Sequence, residues 1–271
     1  MNPSLLTTGP TTVPDVQAER DHRGVTIDRV GIRSLRYPLL LATVAGPQRS
    51  IATWELTVEL DTQHRGTHMS RFVEALERWN REPMDGSRLL VMLAELRHRL
   101  NTARADARCE LTLFIERRAP ISGLVAQHAI DCSFVATSRS AAEELTLGVR
   151  VPITTLCPCS KEISAYGAHN QRGYVAIDAG VAAGGGIAFE DLIYVAELSG
   201  SAPVHPLLKR VDERHVTMQA YDAPTFVEDV VRTATLSLIE DERIQRFTVR
   251  AENHESIHDH AAVATVHWER G

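Results

Sequence analysis

An α+β protein made of two similar modules, each an antiparallel sheet with helices packed on one face, is what three features of this 271-residue sequence predict. Four segments alternate between apolar and polar residues, giving each strand one dry and one wet face, as in antiparallel sheets. Three others carry apolar residues at helical spacing. Strands, helices and strands also follow one another in that order in both halves, the layered pattern of an α+β architecture. The tripeptide Phe-Val-Glu opens a helix in each half, at Phe72–Glu74 and Phe226–Glu228, and hints at duplication.

Along the chain, Met1 to Gly24, with Pro3, Pro10, Pro14 and two Thr-Thr pairs, reads as a mobile tail. A first module is expected over residues 25–145 and a second, carrying most of the polar motifs, over 146–271. In Ile51–Leu60, Trp54, Leu56, Val58 and Leu60 alternate with Thr53, Glu55, Thr57 and Glu59. Phe72, Val73, Leu76 and Trp79 form one helical stripe, and Leu89, Leu93, Leu96 and Leu100 a second, with Ser87 as its expected cap. Cys109, Leu111, Leu113 and Ile115 alternate with Glu110, Thr112 and Glu116 in a second strand. Gly180–Gly186 is expected to be a flexible loop. It lacks the Gly-Lys-Ser/Thr ending of a phosphate loop and is assigned no chemistry. Val227, Val230, Val231, Ala234 and Leu238 line a helix begun by Pro224-Thr225. Phe247, Val249 and Ala251, then Ala262, Ala264, Val266 and Trp268, mark two closing strands.

Composition narrows the function. A formal charge of −6 argues against a generic nucleic-acid or anionic-membrane binder. No apolar run approaches the roughly 20 residues of a membrane span, and the first ten residues do not read as a signal peptide. A cytoplasmic protein is expected. Four cysteines do not make a disulfide scaffold in a chain this long, and Cys109 and Cys132 sit in strand-like apolar contexts as buried thiols. Of 29 basic residues only Lys161 and Lys209 are lysines, the other 27 being arginines. Either chance left these two, or their sites need a compact ammonium that a planar guanidinium does not imitate.

The chemistry concentrates in Cys157-Pro158-Cys159-Ser160-Lys161-Glu162-Ile163-Ser164-Ala165-Tyr166-Gly167-Ala168-His169-Asn170-Gln171-Arg172-Gly173. Two thiols, an imidazole, an ammonium, a carboxylate, a phenol and a guanidinium lie there with almost no apolar filler. Such groups are costly to bury without partners, so the segment reads as a site. The spacing of Cys157 and His169 is not that of a structural zinc finger, and no second pair closes a four-ligand set. An open metal site using one thiolate and one imidazole competes with a thiolate nucleophile served by His169, and with two buried thiols in a loop. Extended chain would put Cys157 and Cys159 on one face, whereas a bend at Pro158 would separate them.

Glu252-Asn253-His254-Glu255-Ser256-Ile257-His258-Asp259-His260 forms a second polar cluster. In extended chain His258 and His260 point the same way, which suits metal binding or proton transfer, although a solvated loop is the plain alternative. Asp212-Glu213-Arg214-His215 reads by itself as an exposed charged turn. Thr225-x-x-Glu228 fits a capping box.

Taken together, the Cys157–Ser164 and Tyr166–Arg172 motifs, with Gly66-Thr67-His68-Met69-Ser70-Arg71-Phe72 and Glu255-Ser256-Ile257-His258, resemble the type IB GTP cyclohydrolase I family. The resemblance runs from about Arg29 to the C-terminus. It implies a bimodular tunnelling fold (T-fold), a homotetramer with active sites at subunit interfaces, and conversion of GTP and water to formate and 7,8-dihydroneopterin triphosphate. It further implies a divalent metal (Zn2+, Mn2+ or Fe2+) held by Cys157, His169, Glu213 and Glu255, the last either as a further ligand or as the holder of the metal-bound water. His258 and His260 resemble the proton-transfer pair, and Glu228 resembles the carboxylate that grips guanine. Lys161, Lys209 and Arg210, together with Arg65, Arg71 and Arg172, are the cations expected to meet the triphosphate. Rival expectations are an archaeal-type cyclohydrolase giving a cyclic phosphate, a T-fold nitrile reductase with a cysteine nucleophile, and a non-catalytic metal-stabilised interaction module.

Overall fold

The computed structural model describes residues 15–182 and 185–271. Among the described residues nine strands form one antiparallel sheet, and there are six α-helices. In chain order the elements are β1 (Ile27–Leu41), β2 (Gln48–Leu60), α1 (Ser70–Trp79), α2 (Gly86–Arg99), β3 (Arg104–Arg118) and β4 (Val125–Arg139). There follow β5 (Glu143–Leu156), α3 (Pro158–Ile163), β6 (Asn170–Val181), α4 (Phe189–Leu198), β7 (Ala202–Pro203), α5 (Arg210–Asp222), α6 (Val227–Glu240), β8 (Ile244–His254) and β9 (Ala261–Glu269). The sheet runs β1-β2-β3-β4-β5-β6-β8-β9, with the short β7 pairing on β5. Of the helices, α1, α2, α4 and α6 pack apolar side chains on one of its faces. Two strands, helices and two strands thus occur twice, and β4 pairs with β5 to join the halves into one sheet. The expected boundary between residues 145 and 146 falls inside β5.

Period-2 alternation decides which face is covered. Ala52, Trp54, Leu56 and Val58 on β2, Cys109, Leu111 and Leu113 on β3, and Phe247, Val249 and Ala251 on β8 are all buried. They meet Phe72, Leu76, Leu89, Leu93 and Leu96 from α1 and α2, and Val230, Val231, Ala234 and Leu238 from α6, in one continuous core. Phe134 of β4 and Phe189 of α4 pack with ring centroids 4.6 Å apart and tie the halves together. On β9, Ala262, Ala264, Val266 and Trp268 are only partly buried, because β9 is an edge strand. Cys109 and Cys132 are free buried thiols, and burial pushes both well above the ordinary cysteine range.

Several local expectations are corrected. The cap of α2 is Asp85, whose carboxylate accepts the Arg88 N–H at 2.8 Å, so Ser87 lies within the helix. The Thr225/Glu228 capping box does not form. Thr225 donates its hydroxyl to the Ala223 carbonyl at 3.0 Å, and Asp229 accepts the Phe226 N–H at 3.3 Å in its place. Asp212–His215 is no turn but the first part of α5. Of the expected N-terminal tail, residues 1–14 lie outside the described residues. The remainder is pinned, with Gly66 N–H donating to Gln17 O at 3.1 Å, Arg65 N–H to Glu19 O at 2.9 Å and Asp21 N–H to Gln63 O at 3.1 Å. Within the expected Gly180–Gly186 loop, Gly180 belongs to β6, and residues 183–184 lie outside the described residues.

The Asp85 cap predicts that Asp85→Ala lowers stability by about 1 kcal/mol. Ser87→Ala should change it by no more than about 0.5 kcal/mol. Urea unfolding of both variants checks this, and the reverse order would return the cap to Ser87.

Candidate functional site

The ladder between β5 and β6 ends where Leu156 pairs with Asn170. One step further, the Cys157 N–H donates to the His169 carbonyl at 3.1 Å, so these two residues face each other across the end of the ladder. Pro158 opens α3 as its first residue and holds Cys157 extended (φ −69°, ψ 117°). The chain bends there and separates the thiols. Cys157 is half-buried with Sγ accepting the Ser160 N–H at 3.4 Å, whereas Cys159 is exposed. The Ser160 hydroxyl in turn accepts the His169 N–H at 3.3 Å.

Behind this pair lies a polar set whose role the sequence did not disclose. Gln171 is 7% exposed and Thr155 is 0% exposed, and they face each other in the ladder. Gln171 Oε1 lies 2.9 Å from His169 Nδ1, and Gln171 Nε2 donates to Thr155 Oγ1 at 2.9 Å. The only sequence signal was polar residues at positions where the alternation calls for apolar ones.

Three remote segments reach the same end of the sheet. The Thr225 N–H donates to the Leu156 carbonyl at 2.9 Å, which brings the start of α6 beside the end of β5. Glu228 is exposed in the first turn of α6, three residues beyond Thr225. The Lys161 ammonium donates to the Tyr221 carbonyl at 2.5 Å and lies 4.3 Å from the Tyr221 ring centroid, linking α3 to the end of α5. On the other side Gly173 of β6 pairs with Asn253 of β8, where a Cβ would come within 2.4 Å of Asn253 Oδ1. The loop between β8 and β9, which carries Glu255, His258 and His260, begins two residues beyond this pair. The two histidine rings stack, with centroids 5.2 Å apart and planes 11° from parallel.

Other expected residues lie elsewhere. Glu213 is exposed in the first turn of α5, about 12 Å along the helix from Tyr221 at 1.5 Å per residue. Among the described residues no three His, Cys, Asp or Glu side chains gather at metal-binding distance, so Glu213 and Glu255 do not join Cys157 and His169 in the isolated chain. Lys209 and Arg210 are exposed at the start of α5. Arg65 pairs with Glu19 at 2.5 Å, and Arg71 donates to the Arg99 carbonyl at 3.0 Å. A depression of about 480 Å³ on the helix-free face, lined by Arg108, Asp131, Arg150 and Asp178 among others, contains none of the expected site residues.

Beside Glu213, Asp212 is fully buried and accepts hydrogen bonds from the Ile121, Ser122 and Lys209 N–H groups and from the Ser122 hydroxyl. Burial alone would raise its pKa, but these donors outweigh it and hold the carboxyl well below the usual range. Asp212 thus fixes the start of α5, with Lys209, Arg210 and Glu213, against the β3–β4 turn.

One open antiparallel sheet with helices on one face is the architecture of the tunnelling-fold class. The Arthrobacter globiformis uricase superposes with a TM-score of 0.53 at 7% identity, over 90% of this chain and 93% of that one. A hyper-thermostable AgUricase mutant gives 0.55 at 8% identity, over 90% and 92%. These likenesses establish the fold. Residues 13–264 match the family described as type I GTP cyclohydrolase folE2. The GTP cyclohydrolase FolE2 of Paraburkholderia xenovorans is 42% identical over 267 residues, 98% of this chain and 96% of that protein. That of Bordetella avium is 44% identical over 257 residues, 94% and 96%. The chain belongs to the type I GTP cyclohydrolase FolE2 family, of type IB, and is a GTP cyclohydrolase of folate biosynthesis.

Because the folded pKa of Asp212 lies below the ordinary 3.8, its contribution to stability is fully present above about pH 4 and is lost as pH falls further. Asp212→Asn is expected to lower Tm at pH 7, and the gap to wild type should narrow below pH 4. Thermal melts from pH 7 to pH 3 check this, and a gap undiminished at pH 3 would count against the assignment.

Proposed function

We propose that this chain converts GTP and water to formate and 7,8-dihydroneopterin triphosphate at the end of the sheet where β5, β6 and β8 meet. The observation that supports this reading is that Cys157 and His169 face each other at that end, where the start of α6 is held on the Leu156 carbonyl and the β8–β9 loop follows the Gly173–Asn253 pair. Cys157 and His169 suit a divalent metal (Zn2+, Mn2+ or Fe2+), since a thiolate and an imidazole with one nitrogen already hydrogen-bonded are a fitting donor pair. Glu213 and Glu255 are the carboxylates proposed to complete the set. When bound, the metal would supply Lewis-acid activation of the water that attacks guanine C8.

The remaining work falls to the chain's own side chains. Glu228 accepts the guanine N1–H and 2-amino donors, a pair that a carboxylate matches at both oxygens. Its freedom from the α6 cap, which Asp229 provides, favours this role over a structural one. His258 and His260 move the protons that ring opening, loss of formate and recyclisation require. Lys161, Lys209 and Arg210 bind the triphosphate, so a local patch suffices despite the net charge of −6.

We further propose two T-fold modules in a cytoplasmic homotetramer, with the metal set completed at subunit interfaces. The edge strands β1 and β9 support this, because assembly would pair the backbone groups that each leaves open. No helix among the described residues is long and apolar enough to cross a membrane.

Cys157→Ala is expected to lose bound metal and about a hundredfold or more of formate release. Cys159→Ser should keep both within severalfold. Elemental analysis with a formate assay decides, and equal metal loss in both variants would reject Cys157 as the ligand.

Glu228→Gln keeps the side chain's size but sets an amide donor against the guanine 2-amino group. It should melt within about 2 °C of wild type while kcat/KM for GTP falls by about a hundredfold. Fluorescence of the oxidised pterin reads turnover. A variant that is less stable yet processes GTP normally would return Glu228 to a structural role.

A further inference from the structure

We propose that Gln171, backed by Thr155, is a positioning residue that selects the Nδ1–H tautomer of His169 and leaves Nε2 as the lone-pair nitrogen. This rests on the reading of Cys157 and His169 as metal ligands and adds the device that readies one of them before metal arrives.

The case begins with a placement that packing does not explain. On the helix-covered face of β5 and β6 the pair Ile153–Gly173 comes next to this one, followed by Val151–Val175, and Val151, Ile153 and Val175 are all at 0% exposure. Thr155 and Gln171 continue the same face, directly opposite each other in the ladder. Burying an amide and a hydroxyl there costs free energy unless each is hydrogen-bonded, and two apolar side chains would fill the position without that demand. The pair bonds to itself, and among the described residues its one further side-chain hydrogen bond is to His169.

The contact couples the tautomer to the orientation of the Gln171 amide. A neutral imidazole has one N–H donor and one acceptor nitrogen. Gln171 presents its amide oxygen to His169 Nδ1 at 2.9 Å while its amide nitrogen donates to Thr155 Oγ1 at 2.9 Å. With the amide oxygen turned to the ring, Nδ1 carries the hydrogen; the opposite amide orientation would place it on Nε2, and the nitrogen measurement below separates the two. The backbone of His169 is already fixed at both groups, its N–H on the Ser160 hydroxyl and its carbonyl on the Cys157 N–H. The remaining freedom is rotation of the ring, and the Gln171 bond removes it. Hydrogen bonds to the far nitrogen of a ligating histidine are worth about 10–100-fold in metal affinity.

The test uses the metal-free full chain with 15N-labelled histidine. Long-range 1H–15N correlation at pH 8.5 is expected to show wild-type His169 protonated at Nδ1. In Gln171→Met the population should move towards Nε2–H. Zinc affinity, measured by competition with a chelator, should fall by about 10–100-fold in Gln171→Met. Gln171→Glu restores an acceptor, to which the Thr155 hydroxyl can turn and donate, and should stay within about threefold of wild type. A purely structural Gln171 would instead show lowered Tm in both variants with the tautomer unmoved, and that result overturns the proposal. So does a wild-type ring protonated at Nε2. If Cys157→Ala binds zinc as tightly as wild type, the metal reading itself fails, while the tautomer measurement still decides what Gln171 does.

Discussion

Along the β5–β6 ladder, from Leu145 opposite Val181 to Leu156 opposite Asn170, the register is set by what the helix-covered face can bury. Val149, Val151 and Ile153 on one strand and Val175, Ile177 and Ala179 on the other are all nearly inaccessible. A slip of one residue would send every one of them to the wet face, so the alternative registers are costly. The same constraint sets Cys157 against His169 at the ladder's end and Thr155 against Gln171 just inside it. The candidate site is thus positioned by the burial of aliphatic side chains that take no part in its chemistry.

From that fixed end, the other segments are placed by single backbone bonds to neighbouring scaffold. The Leu156 carbonyl holds Thr225, the Thr154 carbonyl holds the Ser201 N–H at 2.9 Å, and the Ser201 hydroxyl accepts the Leu156 N–H at 3.1 Å. Polar side chains gather where strands stop because a strand end leaves room and solvent for them, which the packed middle of the sheet does not. Residues more than ninety positions apart in sequence can therefore serve one chemistry without burying an unpaired charge.

The legible parts of the sequence are those with one unambiguous wet face. β2, β3, β8 and β9 alternate cleanly, and α1, α2 and α6 carry wide apolar stripes. β5 is harder to see, since buried Gly148 interrupts the alternation of Leu145, Leu147, Val149, Val151 and Ile153 with Thr146, Arg150 and Pro152, and a proline stands within the strand. α5 gives no hydrophobic period at all, because Asp212 and Ala220 are its only buried residues. Its start consequently reads as an exposed turn, and the buried carboxylate that anchors it looks like surface charge. The caps failed for a related reason. Asp85 and Asp229 each sit within a few residues of another plausible cap, and only the backbone geometry chooses between them. In the site, the residue types that carry chemistry stand out in sequence, whereas Gln171 and Thr155 do not, because their meaning depends on facing each other across a ladder.

The two lysines in a chain of arginines separate once their surroundings are compared. Lys161 has a steric explanation, since its ammonium fits between the Tyr221 carbonyl and the Tyr221 ring, a compact site that suits a point charge on a flexible stem better than a planar fork. Lys209 has no such enclosure and stands exposed at the start of α5, where its backbone N–H is engaged by Asp212 and its carbonyl by the Glu213 N–H. The structural contact of Lys161 does not exclude a role with phosphate. An ammonium has three donors, the carbonyl accepts one, and the ring face attracts the charge without using a hydrogen bond. The remaining donors belong to a cation already held beside α3, so an anion arriving there would not have to bear the full entropic cost of ordering the side chain.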